Sequence, residues 1–192
     1  MIVAAGYDGR ALRFRTNGVQ FIELDHPATQ ADKRALLTQL GIDSADIGFA
    51  AADFTTDDVA AALDGAGHDP AAATLYLVEG LSVYLDEGVL HGLLTTLRER
   101  AARGSELAID LSLQPTTAAR KVAKAAFDRR LASVGETART RFSRDRALAL
   151  LVATGWAPDE VVDPADLNRV ARRGSAVLVL AEPDEAWEHT RP

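Results

Sequence analysis

Polar residues that could bind a nucleoside-containing cofactor follow four apolar stretches in the first half of this 192-residue sequence. They are Gly6 with Asp8, Glu23 with Asp25, Asp53, and Glu79. One carboxylate can accept hydrogen bonds from both ribose hydroxyls, and a second can accept one from the adenine amino group. Any one of these acidic residues alone would more often be solvated or cap a helix. Their recurrence after four successive predicted strands favours a binding site.

The elements that would position these residues alternate between strands and helices. Strands are predicted at 2–5, 19–24, 47–52, 74–78 and 106–111, and helices at 28–40, from 55 or 56 through 63, and at 87–102, with an amphipathic segment from Ala11. The helix over 28–40 repeats the apolar residues Ala31, Ala35, Leu36 and Leu40 at helical spacing. Because parallel strands need crossover connections, this alternation predicts a parallel sheet with helices on both faces and a ligand beyond its carboxyl edge.

The sequence changes character after residue 113. Residues 114–143 are helical, basic and rich in alanine, and we interpret them as an insertion over the sheet edge near a substrate opening. A helix over 144–154 and strands over 155–162 and 175–181 follow. About a dozen residues without helical periodicity separate these strands, which predicts an antiparallel pair, and the tail after Pro183 is expected to fray. We predict a single domain over residues 1–192.

Composition excludes several functional classes. With 28 acidic and 21 basic residues, the formal charge of −7 does not favour a nucleic-acid partner. No apolar run reaches the roughly 20 residues that cross a bilayer, and the start lacks the features of a signal peptide, so we expect a cytoplasmic protein without a membrane partner. The sequence has no cysteine, and its four histidines lack metal-ligand spacing, so no metal site is expected.

Four segments carry a specific resemblance: VAAGYDGRALRF, FIELDHP, AAADF and LVEGLSVYL. Together they resemble the S-adenosylmethionine-dependent methyltransferase family related to leucine carboxyl methyltransferase, which includes many actinobacterial proteins. Its corresponding motifs read L-G-A-G-L-D-T-R, F-E-V-D-Q-P with a lysine several residues later, and A-E-G-L-L-M-Y-L. The likeness is close from Met1 to Leu113 and looser over the last two strands. It implies a Rossmann-like class I methyltransferase fold, with a seven-stranded, mainly parallel sheet, an antiparallel last strand and helices on both faces.

The resemblance also implies a role for each matching residue in binding S-adenosyl-L-methionine. Gly6 would approach the methionine part with Asp8 and Arg10 shaping its loop, Glu23 and Asp25 would lie at the ribose, Asp53 and Phe54 at the adenine, and Glu79 and Gly80 near the methionine end. Arg10 is about equally expected to hold the turn as a surface residue. A solvated position is expected for Lys33, and Tyr84, a candidate substrate contact, would more often pack with its hydroxyl at the rim.

Two departures from the family pattern stand out. Ala4 occupies the position of the family's first glycine and Gly9 replaces a threonine, so a tighter approach to the cofactor is expected. Family members also carry a helical segment before the first motif, whereas this sequence starts inside the first predicted strand. Three explanations stay open: a misassigned start, a truncated gene, or a reduced form that borrows its lid from a partner chain. The uncovered first strand also leaves a homo-oligomer open.

The function implied by the resemblance is methyl transfer from S-adenosylmethionine to an oxygen of a small molecule, either a carboxylate or a hydroxyl. A carboxylate acceptor needs no general base, and the sequence offers no obvious base, so no catalytic residue is assigned. The alternative is a truncated or inactive methyltransferase-fold protein that binds the cofactor weakly or not at all. A nicotinamide-dependent oxidoreductase is disfavoured, because the Gly6 turn lacks the G-x-G-x-x-G pattern and Asp8 would repel a pyrophosphate.

Overall fold

A seven-stranded sheet organises the computed structural model, which describes residues 1–133, 135, 137–162 and 176–187. The strands are β1 (Ile2–Val3), β2 (Phe21–Asp25), β3 (Ile47–Ala51), β4 (Leu75–Val78), β5 (Glu106–Ser112), β6 (Trp156–Val162) and β7 (Ala176–Pro183). The helices are α1 (Arg10–Arg13), α2 (Pro27–Gln39), α3 (Val59–Gly65), α4 (Glu87–Glu99), α5 (Ala118–Ser133) and α6 (Arg144–Ala153). Of the predicted features, the connection between the last two strands and the end of the tail lie outside the described residues.

The strand order is β3-β2-β1-β4-β5-β7-β6. The first five strands in this order run parallel, while β7 runs antiparallel to both β5 and β6. From β1 the strand order proceeds to β2 and β3 on one side and to β4 and β5 on the other. Ligands of such sheets bind where the order changes side, so a ligand is expected at the carboxyl ends of β1 and its neighbours. The predicted seven-stranded, mainly parallel sheet with an antiparallel last strand is confirmed.

One face of the sheet carries the main core. Alternate residues of the parallel strands pack there against α3, α4 and α6. Helix α4 contributes four leucines at the spacing of one helical face: Leu90, Leu93, Leu94 and Leu97. Trp156 at the start of β6 is fully buried, and its indole Nε1 donates to the Leu94 carbonyl at 3.1 Å. The last two strands are thereby joined to α4.

Helix α2 contacts the sheet mainly through polar residues, and the apolar residues that recur at helical spacing lie on its exposed side. Leu36 and Leu40 are 41% and 61% exposed, and the other two predicted positions, Ala31 and Ala35, are also exposed. The buried residues are instead Gln30, Lys33 and Leu37. The Gln30 amide donates to the Glu23 carbonyl at 3.0 Å and to the Ala50 carbonyl at 2.9 Å. Specific hydrogen bonds to β2 and β3 therefore orient this helix.

The first strand is shorter than the predicted 2–5 because the backbone turns at Ala4. Ala4 has a φ of 54°, in the left-handed region that alanine rarely adopts, so the extended conformation ends at Val3. The amphipathic segment from Ala11 forms only the four-residue helix α1. In the segment interpreted as an insertion, α5 is the helix that the structure describes. None of the described helices is long and apolar enough to cross a membrane.

Candidate functional site

The glycine loop after β1 is hydrogen-bonded to the end of β2. Gly6 has a φ of 46°, which favours glycine, and its N–H donates to Asp25 Oδ2. Asp25 Oδ1 accepts a second hydrogen bond, from the backbone N–H of His26 at 2.6 Å. Asp25 is the last residue of β2 and its side chain is half-buried. This carboxylate thus lies at the carboxyl edge of the sheet, where it fixes the conformation of the loop after β1.

Arg10 connects the same loop to the end of β4. Its backbone N–H and side-chain Nε donate to Asp8 at 2.6 and 2.7 Å, and its guanidinium also pairs with Glu79. Burial raises the pKa of Asp8, but the hydrogen bonds and charge of Arg10 outweigh it and hold this pKa below its usual value. The two carboxylates in turn raise the pKa of Arg10. Asp8, Arg10 and Glu79 therefore form one ionic group across two neighbouring strands.

Glu23 and Lys33 lie beneath this group, away from the open edge. Glu23 is 1% exposed and Lys33 is 4% exposed, and Lys33 Nζ is 2.6 Å from Glu23 Oε2. The predicted solvated position for Lys33 is therefore wrong. Burial raises the pKa of Glu23, and the ammonium of Lys33 only partly opposes that rise. Lys33 Nζ also donates to the Asp8 carbonyl at 2.6 Å. Lys33 therefore links the Glu23 carboxylate to the loop after β1.

Asp53 and Phe54 follow β3. Asp53 Oδ1 accepts hydrogen bonds from the N–H and hydroxyl of Thr55 at 2.9 and 2.6 Å, and these bonds lower the pKa of Asp53. His26 Nε2 is 3.9 Å from Asp53 Oδ2, so the side chain after β2 approaches the loop after β3. Phe54 lines a cavity of about 410 Å³ between the start of α3 and α4. Asp53 thus adjoins the end of β2, whereas Phe54 faces the cavity between α3 and α4.

Gly80 and Asp110 form a contact that the sequence analysis missed. Gly80 has a φ of 66°, and its N–H donates to Asp110 Oδ1 on β5 at 2.7 Å. Burial raises the pKa of Asp110, the Gly80 N–H opposes this, and the nearby charge of Glu79 raises it further. An acidic residue between apolar residues of a predicted strand was the available signal. Tyr84 lies in the turn after β4, where its N–H donates to the Leu81 carbonyl at 2.9 Å.

The structure thus brings most of the predicted residues to one edge of the sheet. Direct contacts connect Gly6 with Asp25, and Arg10 with both Asp8 and Glu79, whereas Asp53 lies next to this group through His26. Glu23 is the exception, because its carboxylate is buried against Lys33. The described residues include no cluster of three acidic or histidine side chains able to hold a metal ion. This edge offers exposed and half-buried carboxylates, which suit hydroxyl, amino and cationic groups of a ligand.

Comparison with known proteins identifies the family. Residues 1–98, about half of the chain, match the family described as leucine carboxyl methyltransferase. A "Putative S-adenosyl-L-methionine-dependent methyltransferase" of Saccharopolyspora erythraea is 37% identical over 111 residues, covering 57% of this chain and 39% of that protein. The match therefore spans about two fifths of the length of this relative.

Solved structures share the fold. The mitomycin 7-O-methyltransferase MmcR aligns with a TM-score of 0.61 and 18% identity, covering 95% of this chain and 48% of that one. Human N-acetylserotonin methyltransferase, solved in complex with SAM, aligns with a TM-score of 0.60 and 15% identity, covering 95% and 46%. The predicted Rossmann-like class I methyltransferase fold is confirmed. On the match over residues 1–98, this chain belongs to the leucine carboxyl methyltransferase family.

Proposed function

We propose that the chain binds S-adenosyl-L-methionine at the carboxyl ends of β1 to β4 and transfers its methyl group to an oxygen of a small molecule. The observation that carries the proposal is the set of contacts along this edge: His26 with Asp53, Asp25 with the N–H groups of Gly6 and His26, and Arg10 with Asp8 and Glu79. The family supplies the cofactor class, since the relative from Saccharopolyspora erythraea bears that cofactor in its name.

Each part of the cofactor has a chemically suited partner at this edge. Asp25 would accept hydrogen bonds from the ribose hydroxyls, Asp53 would accept one from the adenine amino group, and Phe54 would cover an adenine face. Gly6 and Gly80 let the backbone approach the methionine part, while Glu79 and Asp8 attract its ammonium and sulfonium cations. Glu23 is buried, so we assign it to supporting the loop after β1. Of the two residues expected at the ribose, only Asp25 then binds the hydroxyls.

The reaction needs little acid–base chemistry from the protein. Bound S-adenosylmethionine would supply an activated methyl group: its transfer would form a C–O bond to the acceptor and break the C–S bond, whose electrons would stay on sulfur as the neutral thioether of S-adenosylhomocysteine. A carboxylate acceptor, the chemistry in the family's description, is already anionic and requires no general base. The contribution of the protein is alignment of the two reactants and exclusion of water.

Arg10 favours a second candidate function, a methyltransferase-fold protein that binds the cofactor weakly or not at all. Both carboxylates that would attract the cofactor's cations, Asp8 and Glu79, are paired with this guanidinium. Cofactor cations must therefore compete with an existing ion pair. Calorimetric titration of the chain with S-adenosylmethionine and S-adenosylhomocysteine separates the two candidates, because no heat of binding at millimolar ligand would exclude the enzyme.

A matched pair of variants assigns the binding to this edge. Asp53→Asn is expected to weaken binding about tenfold or more, as befits a hydrogen bond that involves a charged group. Asp69→Asn is the control, because Asp69 also accepts a hydrogen bond from the backbone N–H two residues later but lies before β4, away from the proposed site. Equal affinity in the two folded variants would place the adenine elsewhere.

A further inference from the structure

Lys33 is buried where three parts of the fold meet: α2, β2 and the loop after β1. Its ammonium lies 2.6 Å from Glu23 Oε2 and donates to the Asp8 carbonyl at 2.6 Å. Lysine is almost never this buried unless its charge is paired. The Glu23 carboxylate supplies the pairing charge, and the Asp8 carbonyl is a second acceptor that an ion pair alone does not require.

Stability alone does not explain a buried ion pair at this place. Removing two charges from water costs free energy that their attraction often fails to recover, and well-packed apolar residues of similar volume can be as stable or more stable. Such apolar residues could fill the space of Glu23 and Lys33. They could not donate a hydrogen bond to the Asp8 carbonyl, so this bond is the property that requires an amino group.

The hydrogen bond from Lys33 to the Asp8 carbonyl affects the ionic group at the open edge of the sheet. Lys33 donates to the backbone carbonyl of Asp8, and the side-chain carboxylate of the same residue accepts two hydrogen bonds from Arg10. Arg10 in turn pairs with Glu79 at the end of β4. Moving the Asp8 backbone would therefore displace the whole ionic group. Lys33 itself is 4% exposed and is therefore not open to a ligand at that edge.

We infer that Lys33 is a positioning residue: it holds the loop after β1 in the shape that binds the methionine end of the cofactor, with Glu23 as its buried counter-ion. The inference rests on the proposed cofactor site, to which it assigns a supporting residue. Lys33 acts through the Asp8 carbonyl, and the ligand contacts stay with the residues of the loop and of β4. A role confined to core stability is the competing explanation.

Two variants separate positioning from core stability. Lys33→Met leaves the Glu23 carboxylate buried without a cation and is expected to lower the unfolding midpoint. The double variant Glu23→Leu/Lys33→Met removes both charges and is expected to restore that midpoint to near the wild-type value. Positioning predicts that the double variant still binds S-adenosylhomocysteine at least about tenfold more weakly, because the bond to the Asp8 carbonyl is absent. Lys121→Met, on an exposed lysine of α5, is the control and keeps wild-type affinity.

Amide hydrogen exchange on the ligand-free protein gives a readout that does not depend on the cofactor. The N–H of Asp8 donates to the Ala5 carbonyl at 2.7 Å, and that of Arg10 donates to Asp8 Oδ1 at 2.6 Å. Positioning by Lys33 predicts faster exchange at these amides in the double variant, with the core strands unchanged. If the double variant does not fold, Lys33→Met is measured below its unfolding midpoint. Loop amides that exchange faster than the loss of global stability accounts for support the inference, and loop amides whose exchange rises only in step with that of the core strands overturn it.

The outcomes distinguish this inference from the proposed function. If the wild-type chain does not bind S-adenosylhomocysteine, the proposed function fails, and the exchange measurement still decides whether Lys33 holds the loop. If the wild type binds and the folded double variant shows wild-type affinity and wild-type exchange, the inference is overturned and the proposed function stands.

Discussion

The guanidinium of Arg10 pairs with the carboxylate of Glu79 across the carboxyl ends of β1 and β4. The same guanidinium also neutralises Asp8. A cation of the protein itself thus lies between the two carboxylates that we assign to the cationic end of the cofactor. Binding of S-adenosylmethionine must rearrange or share this ionic group, and the sulfonium charge distinguishes that ligand from S-adenosylhomocysteine.

Arg10→Gln is therefore expected to change the preference between the two ligands. Without the guanidinium, Asp8 and Glu79 present uncompensated negative charge, which favours the ligand that carries the sulfonium. The ratio of affinities for S-adenosylmethionine over S-adenosylhomocysteine should rise about two- to fivefold, the size expected for a partly exposed ion pair. Calorimetry with both ligands measures it.

The control for this prediction is Arg13→Gln, which removes an exposed guanidinium at the end of the same short helix. Its affinity ratio should equal that of the wild type. Added salt should reduce the effect of Arg10→Gln, since screening weakens exposed charges. An unchanged ratio in Arg10→Gln would show that the guanidinium does not oppose the sulfonium.

Ala4→Gly is expected to stabilise the chain. The φ of 54° at Ala4 costs an alanine roughly 1–2 kcal/mol. Glycine avoids that cost but loses roughly 0.5–1 kcal/mol of backbone entropy on folding. The expected net gain in the free energy of unfolding is about 0.5–1 kcal/mol, measured by urea denaturation. Ala61→Gly, on the exposed face of α3, is the control and should lower the free energy of unfolding by about 1 kcal/mol. A decrease of similar size in Ala4→Gly would show that the backbone at Ala4 is not strained.

His68 is expected to make the stability depend on pH below neutrality. It is 6% exposed, and its Nδ1 accepts a hydrogen bond from Arg100 Nε at 3.3 Å. Burial and then the charge of Arg100 lower the pKa of His68 below 6.5. The unfolded chain therefore takes up a proton at a higher pH than the folded chain does. The contribution of neutral His68 to stability is therefore present above its unfolded pKa of 6.5 and is lost as the pH drops toward the lowered folded pKa.

The test compares the slope of unfolding free energy against pH in the wild type and in His68→Gln. The variant should show a shallower decline below pH 6.5, whatever its absolute stability. The pH slope isolates this residue because the two proteins share every other titrating group. Parallel slopes would mean that His68 titrates alike in the folded and unfolded chains.

Local pattern was enough to predict most of the architecture. The leucines of α4 recur at one helical face, and each predicted strand combines apolar residues with a turn at its end, so both periodicities were readable. The acidic residues Asp25, Asp53 and Glu79 could be placed together because the carboxyl ends of parallel strands share one edge. That part of the candidate site follows from topology.

The supporting interactions could not be predicted in the same way. Lys33 is buried because Glu23, ten residues earlier and on another element, offers its ammonium a partner. If only apolar residues are counted, α2 is expected to bury Leu36 and Leu40, yet both are exposed. The bond from Gly80 to Asp110 likewise joins residues thirty positions apart. Such contacts depend on how the elements pack, which local periodicity does not contain.

The most direct test of the central claim is hydrogen exchange of the whole chain with and without saturating S-adenosylhomocysteine. Binding at the proposed site predicts slower exchange at the amides of residues 5–10, 25–26, 53–54 and 79–80, with little change at the opposite, amino-terminal edge of the parallel strands. Absence of protection at millimolar ligand, or protection confined to that opposite edge near residues 98–106, would contradict a cofactor site at the carboxyl ends of β1 to β4.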